Sequence, residues 1–469
     1  MAQNTLSGSN ITSGFIDLAT KDEIEKYMYG GPESLAYFVR ETKKSTWFTQ
    51  VPVALSRATG NPQFNQEWSV TISRAGDYLL QTWLRVVLPE VVLLATNQFA
   101  VNGRLRWTKN FMHNLIRETA ISFNDLVAER FDNYFLDFWA AFTVPASKQK
   151  GYDAMIGNVD ELTRPHEIGK PLSSMALNLP LPFFFTRDSG MALPTAALPY
   201  NDMRISFSFR NWNELLILDN SLNPIKTDNT VVPIVGGPTA SIVAVPEIVS
   251  ANVWANYSIV SNEERKRMAC SPRDMLIEQV QTAPRQTFSP LTNPTPSYDI
   301  RFSHAIKALF FAVRNTTHTN EWSNYTVSST IPGPIVVTPA PQFYAFDPIM
   351  NCSLVYENTT RLNQIGSDYY SLVEPWYKAP AIPEATGYHL YSYSLDFFDV
   401  DPLGSTNYGK LTNVSIAPAA SPAAIKAANG TGDDRVSGYD YPQKFEFITV
   451  GLNNNIIRIS GGALGFPVL

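Results

Sequence analysis

The sequence predicts an all-β protein built from two tandem β-sandwiches. Three observations carry the prediction. Apolar and polar residues alternate at period two through much of the chain. The 33 prolines and 25 glycines are spread along it as turn punctuation rather than gathered in one linker. The two halves also carry loosely similar strand patterns, which suggests two copies of one sandwich of about 200 residues each.

The strands follow from the alternation. In EWSVTIS, Trp68, Val70 and Ile72 share one face, and Ser69, Thr71 and Ser73 the other. MRISFSFR places Met203, Ile205, Phe207 and Phe209 opposite Arg204, Ser206, Ser208 and Arg210. YSYSLDF does the same with Tyr391, Tyr393, Leu395 and Phe397. One buried and one wetter face is the pattern of antiparallel sheets. KALFFAV (307–313) is apolar on both faces and reads as a central strand.

Helices are few and short. TKDEIEKYMYGG reads as a helix with Thr20 as N-cap, Glu23 closing a capping box and Gly30 at the stop. SNEERKRMA repeats the device with Ser261 and Glu264. In ERFDNYFLDFWAAF, Phe131, Tyr134, Phe135, Phe138, Trp139 and Phe142 fall on one helical face, a stripe that reads as core.

GDYLLQTWLRVVLP (76–89) pairs in pattern with PRDMLIEQVQTAP (272–284), and MHNLIRETAISFND (112–125) with FSHAIKALFFAVRN (302–315). Between the halves, the polar, Pro/Gly-rich stretch 219–247 is the boundary candidate. A second loop-rich stretch, 417–443, reads as an exposed excursion.

Composition narrows the function. Charged residues are only 17%, against 44% hydrophobic and 12% aromatic. Such a chain is expected to hide surface against partners. The net charge is −6 and no Lys/Arg run occurs, so the counterion-releasing contacts of direct nucleic-acid binding are not expected. The N-terminus MAQNTLSGSN shows no signal peptide, Ala2 excludes N-myristoylation, and the most apolar run (86–101) is broken by Pro89 and Glu90. Two cysteines, Cys270 and Cys352, fit a reducing, intracellular life rather than a disulfide scaffold. Eight glycosylation sequons, at Asn10, Asn256, Asn315, Asn324, Asn351, Asn358, Asn413 and Asn429, follow from Asn/Thr-rich loops, and modification is not expected.

Catalytic, cofactor and metal sites are not expected. His113, His166, His304, His318 and His389 are far apart, without metal-ligand spacing. Asp396, Asp399 and Asp401 resemble the start of a calcium loop, but Lys410 stands where the closing Glu belongs, so a solvated turn is expected. Ser189 in LPLPFFFTRDSGMALPTAALPYN has no base or oxyanion site beside it. Arg187 and Asp188 read as a charged turn, Gly190 as its relief, and Pro180 and Pro182 confine the stretch to a sheet edge or an irregular path.

The same stretch resembles the hallmark segment of the major capsid proteins of large double-stranded DNA viruses. ITSGFIDLATKDEIEKYMYGG, RWTKNFMHNLIRETAISFNDL, VYENTTRLNQIGSDYYSLVEPWY, GSTNYGKLTNVSIAP and LNNNIIRISGGALGFPVL extend the resemblance along nearly the whole chain. It is nearest to the iridovirus family, in particular the invertebrate iridescent viruses. The resemblance implies two eight-stranded jelly rolls with few short helices. The expected division is an N-terminal arm with a short helix (1–34), a first jelly roll (35–222), a linker (223–245) and a second jelly roll (246–469). It further implies a homotrimer forming a pseudo-hexagonal capsomer that tiles an icosahedral shell. Its implied partners are neighbouring capsomers, minor capsid or cement proteins and an inner viral membrane layer beneath the N-terminal side, with no direct nucleic acid and no enzyme activity. The implied place is the virion, assembled in the host cytoplasm.

Two other readings suit the composition: a carbohydrate-binding β-sandwich, whose aromatics stack on sugars and whose loop carboxylates act in pairs, or a receptor-binding spike.

Overall fold

A computed structural model describes residues 4–94, 103–167, 169–220, 241–242, 244–328, 346–430 and 442–467. The chain divides into two units, Met1–Trp47 and Phe48–Leu469.

The first unit holds the helices Asn4–Ala19 and Glu23–Met28. The second is capped by Asp22 and not by Thr20. The Asp22 carboxylate accepts the Ile24 and Glu25 N–H groups, and Glu25 reaches back to the Asp22 N–H. Thr20 is engaged by the preceding helix, its N–H on the Ile16 carbonyl and its hydroxyl on that of Asp17. The longer helix carries only a weak signal in the sequence. Its stripe of Ile11, Phe15 and Leu18 is diluted by Gly8, Ser9 and Gly14.

The second unit contains both sandwiches. The first pairs a four-stranded sheet with a five-stranded one, both antiparallel. In spatial order these are Phe48–Ala54, Ser250–Val260, Tyr78–Val87 and Ala176–Pro180, then Ser56–Thr59, Glu67–Thr71, Met203–Phe209, Ile116–Phe123 and Leu126–Phe131. The alternation in Met203–Phe209 holds, with Met203, Ile205, Phe207 and Phe209 buried. Phe207 lies opposite Trp68, and the rings stack at 4.8 Å.

The expected boundary at 245/246 is corrected. Ser250–Val260 is paired between Phe48–Ala54 and Tyr78–Val87, with Ala251, Val253, Ala255 and Tyr257 buried in the first core. The chain therefore crosses over at helix Asn262–Cys270. Residues 223–240 and 243 of the expected linker lie outside the described residues. The capping box expected from Ser261 and Glu264 is not formed, because the Glu264 carboxylate pairs with Arg267.

The second sandwich has a large sheet ordered Arg273–Thr282, Phe445–Ser460, Ala305–Asn315 and His389–Ser392, extended by three short strands to seven. Its companion runs Tyr298–Asp299, Val414–Ala420, Ile349–Tyr356 and Thr359–Gly366. Of the two pairs of similar segments, the one at 112–125 and 302–315 forms an interior strand in both halves, Ile116–Phe123 between Met203–Phe209 and Leu126–Phe131, and Ala305–Asn315 between Phe445–Ser460 and His389–Ser392. The pair at 76–89 and 272–284 does not match, since Tyr78–Val87 is interior and Arg273–Thr282 is at an edge. The expected strand over 391–397 stops at Ser392. Beyond it Leu395 is exposed while Phe397 is buried.

Ala305–Asn315 is buried along both faces, as its two-sided apolar pattern requires. Leu309, Phe311 and Val313 belong to the core of the second sandwich. Ala308, Phe310 and Ala312 join the core of the first. One strand thus serves both hydrophobic cores, and the sandwiches share a seam.

Candidate functional site at the seam between the sandwiches

The aromatic stripe supplies the apolar part of the seam. Helix Asn133–Thr143 starts at Asp132, whose carboxylate accepts the Phe135 N–H at 3.1 Å. Phe138 then stacks on Phe310 at 5.8 Å, Phe142 packs against the same ring tilted at 5.7 Å, and Phe138 meets Tyr388 edge-on at 5.9 Å. Such geometry contributes beyond simple burial of area.

The stretch 179–209 supplies the charged part. Ala176–Pro180 is an edge strand, as Pro180 requires, and Ser189–Met191 is a short 3-10 turn with Ser189 exposed. Gly190 does not adopt a positive φ. A Cβ there would stand 3.0 Å from the Asp188 carboxylate, so close approach is what it provides.

Arg187 is not part of an exposed charged turn. Its side chain is only 6% exposed and pairs with Glu278 of the second sandwich. The guanidinium lies 4.6 Å from the Trp139 ring centroid and 5.1 Å from that of Phe398, and donates to the Phe398 carbonyl at 2.6 Å. Lys307 pairs with the same Glu278 at 2.6 Å and also donates to the Asp399 carbonyl. Close by, Glu129 Oε2 accepts the Phe184 N–H at 2.9 Å. Burial pushes the Glu129 carboxyl up to about 8, against the opposing pull of that N–H and of Arg187. Burial, helped by the Arg187 charge, brings Lys307 down to about 8. Edge strands close the seam here, the Gln279 amide donating to the Ala128 carbonyl at 2.6 Å.

A clasp from the second sandwich completes the seam. Residues 316–328 reach back onto the first. Asn320 donates to the Asn213 and Leu216 carbonyls at 2.7 and 3.0 Å, and the Trp322 indole N–H to that of Glu214 at 2.9 Å. Glu321 pairs with the buried Arg106. The Trp322 ring lies 3.8 Å from the Arg210 guanidinium and 4.4 Å from that of Arg314. Each arginine belongs to a different sandwich. Arg314 also holds Glu446 at 2.9 Å and the Tyr134 hydroxyl at 3.2 Å.

Asp137 anchors the end of the clasp. It accepts from Ser323, Tyr325, His113 and Asn110 at 2.9, 2.8, 2.7 and 3.1 Å. The other His113 nitrogen meets the Tyr152 hydroxyl at 2.6 Å. Asn110, His113, Asp137, Tyr152 and Ser323 line a cleft of about 590 Å³ between helix Ala146–Ile156 and residues 375–385. With Asp137 fully engaged and both His113 nitrogens bonded, the array holds elements together rather than presenting a base.

The remaining residues singled out in the sequence are dispersed. His389 is buried against Asp347 at 2.9 Å, while His166 and His304 are partly exposed. Asp396 and Asp399 each accept the N–H two residues on, the geometry of a turn. Cys270 is exposed, Cys352 is buried, and both are free thiols. Sequons at Asn315 and Asn324 are closed to modification by burial. The Asn315 amide donates to the Ser328 carbonyl at 3.0 Å, and that of Asn324 to the same carbonyl at 2.9 Å.

Comparison with known proteins matches both halves. Residues 36–259 match the family described as major capsid protein N-terminus, and 264–465 match the large eukaryotic DNA virus major capsid protein family. This chain belongs to the major capsid protein family of large eukaryotic DNA viruses. The break between the matches, 260–263, falls at the structural crossover. The chain is 65% identical to the major capsid protein of Invertebrate iridescent virus 6, over 99% of this chain and 100% of that protein. It is 51% identical to the major capsid protein of Lymphocystis disease virus 1 (isolate Darai), with the same coverage. Among solved structures, the PBCV-1 virus capsid quasi-atomic model matches at a TM-score of 0.70 with 20% identity, covering 92% of this chain and 100% of that one. The Faustovirus major capsid protein matches at 0.67 with 13% identity, covering 94% and 95%. The two sandwiches are thus a double jelly roll.

Proposed function

We propose that three copies of this chain associate into a pseudo-hexagonal capsomer, and that capsomers tile the icosahedral outer shell of a large DNA virus. The observation that carries this reading is the seam. It makes two similar jelly rolls into one rigid block, and three such blocks give a six-lobed tile. The work of the chain is association, not chemistry. Contacts within a capsomer should exceed the roughly 1,200–2,000 Å² of a standard interface, and weaker contacts between capsomers let a growing lattice correct errors. Minor capsid or cement proteins would bind between capsomers. The N-terminal side would face an inner membrane layer, with no direct contact to nucleic acid. Assembly in the host cytoplasm suits the cysteine usage.

Light scattering on the purified protein, followed by electron microscopy, tests this. The expected result is a mass of three 52.2 kDa chains and particles of hexagonal outline. A stable monomer with glycan affinity would contradict it and favour the carbohydrate-binding alternative.

A further inference from the structure

The described residues of the N-terminal unit form no core of their own. Of its described side chains, only Glu25 is even half-buried. Ile11, Phe15 and Leu18 form an open stripe at i, i+4 and i+7 of helix Asn4–Ala19. Farther along, Tyr27, Tyr37 and Phe38 stand 89%, 87% and 103% exposed. Four large aromatics of this kind can bury on the order of 800 Å², at roughly 150–250 Å² each. That equals one partner's share, about 800 Å², of a stable protein interface.

The charge pattern identifies what covers this surface. Helices that lie on bilayers carry Lys and Arg on the polar face. Here the helix Asn4–Ala19 contains one charged residue, Asp17, and no cation. The whole unit carries six acidic and five basic side chains. Among the described residues no helix is long and apolar enough to cross a membrane. A near-neutral, aromatic-rich segment without a core suits a protein surface.

We propose that residues 9–47 form an exchange arm that buries its apolar side chains on a second copy of this chain. The inference deepens the assembly reading and rests on it. Each subunit is then held by a neighbour's arm as well as by contacts between jelly-roll blocks.

Isotope-mixed crosslinking tests the exchange. Full-length protein labelled with ¹⁴N and ¹⁵N is mixed before assembly and crosslinked through the arm amines Lys21, Lys26, Lys43 and Lys44. Crosslinks from the arm should join light and heavy chains in about half of the pairs, the statistical fraction for a contact between copies. The double substitution Phe15→Ser with Phe38→Ser should lower them at least tenfold while leaving the thermal midpoint of the body unchanged. Crosslinks confined to same-isotope pairs would overturn the exchange, as would mixed crosslinks that the substitutions do not reduce. Flotation of the wild-type protein with phosphatidylcholine vesicles, abolished in the variant, would assign the arm to lipid instead. If light scattering shows only monomers, the assembly reading itself fails, which separates that failure from failure of the arm.

Discussion

Helix Asn133–Thr143 and the N-terminal arm are both rich in aromatic side chains, and their fates are opposite. Phe138 and Phe142 are wholly buried against the second sandwich, whereas Phe38 and Tyr37 are almost wholly exposed. An apolar stripe at helical spacing therefore says that a face will be covered, but not whether the same chain covers it. The difference lies in the surroundings. The buried helix is framed by charged and polar groups that only a long-range fold can supply: Arg187 with Glu278, Arg314 with Glu446, and Asp137 with the clasp. The arm has local devices only, such as the Asp22–Glu25 capping box.

The sharpest way to break the comparison is to make the same change in both regions. Phe138→Ala should cost about 3–5 kcal/mol in chemical denaturation, the usual range for emptying a buried Phe site. Phe38→Ala should change the stability of the isolated subunit by no more than about 0.5 kcal/mol. Equal effects would abolish the distinction between seam and arm.

A second prediction uses the buried carboxyl. The folded-state pKa of Glu129 is raised to about 8 by burial, above its ordinary value of 4.5. Its contribution to stability is thus complete below the unfolded value and is lost as pH rises toward about 8. Glu129→Gln keeps an acceptor for the Phe184 N–H without the ionisation. Thermal unfolding from pH 5 to 8 should decline less in the variant than in the wild type. At pH 8 the variant should gain roughly 2 kcal/mol, well within the full linkage value of the shift. Identical pH profiles would place Glu129 outside the seam's electrostatics.

Arg187→Lys should cost about 1–2 kcal/mol. It keeps the charge but loses the planar stacking on Trp139 and Phe398. Denaturant midpoints with an unchanged m-value would check this. Ser189→Ala, two residues on but exposed, should stay within about 0.5 kcal/mol and leave oligomer mass unchanged. Loss of a hydrolytic activity on that substitution would sink the architectural reading of the turn.

Much of the fold is legible because strand alternation is local. Met203–Phe209 and Ala305–Asn315 could be read from five to ten residues of sequence. The edge position of Ala176–Pro180 could be read from its proline. The seam is not local. Nothing near Arg187 announces a partner 91 residues away at Glu278, and TRDS therefore reads as a solvated turn. The clasp is hidden in the same way. NTTHTNEWSNYT looks like a polar loop with sequons because many of its donors and acceptors are matched by residues distant in sequence, among them Arg106, Asp137, Asn213, Glu214 and Leu216. The boundary error has a related cause, since a Pro/Gly-rich loop marks a long connection without showing whether the next strand returns to the first sheet, as Ser250–Val260 does.

The account's central claim is that the shared strand, the Arg187 cluster and the clasp make two jelly rolls one block. Native-state hydrogen exchange across a denaturant series tests it most directly. Amides of Met203–Phe209 in the first sandwich and of Phe445–Ser460 in the second should merge into one global unfolding isotherm. Two separate isotherms, one for each sandwich, would contradict the claim.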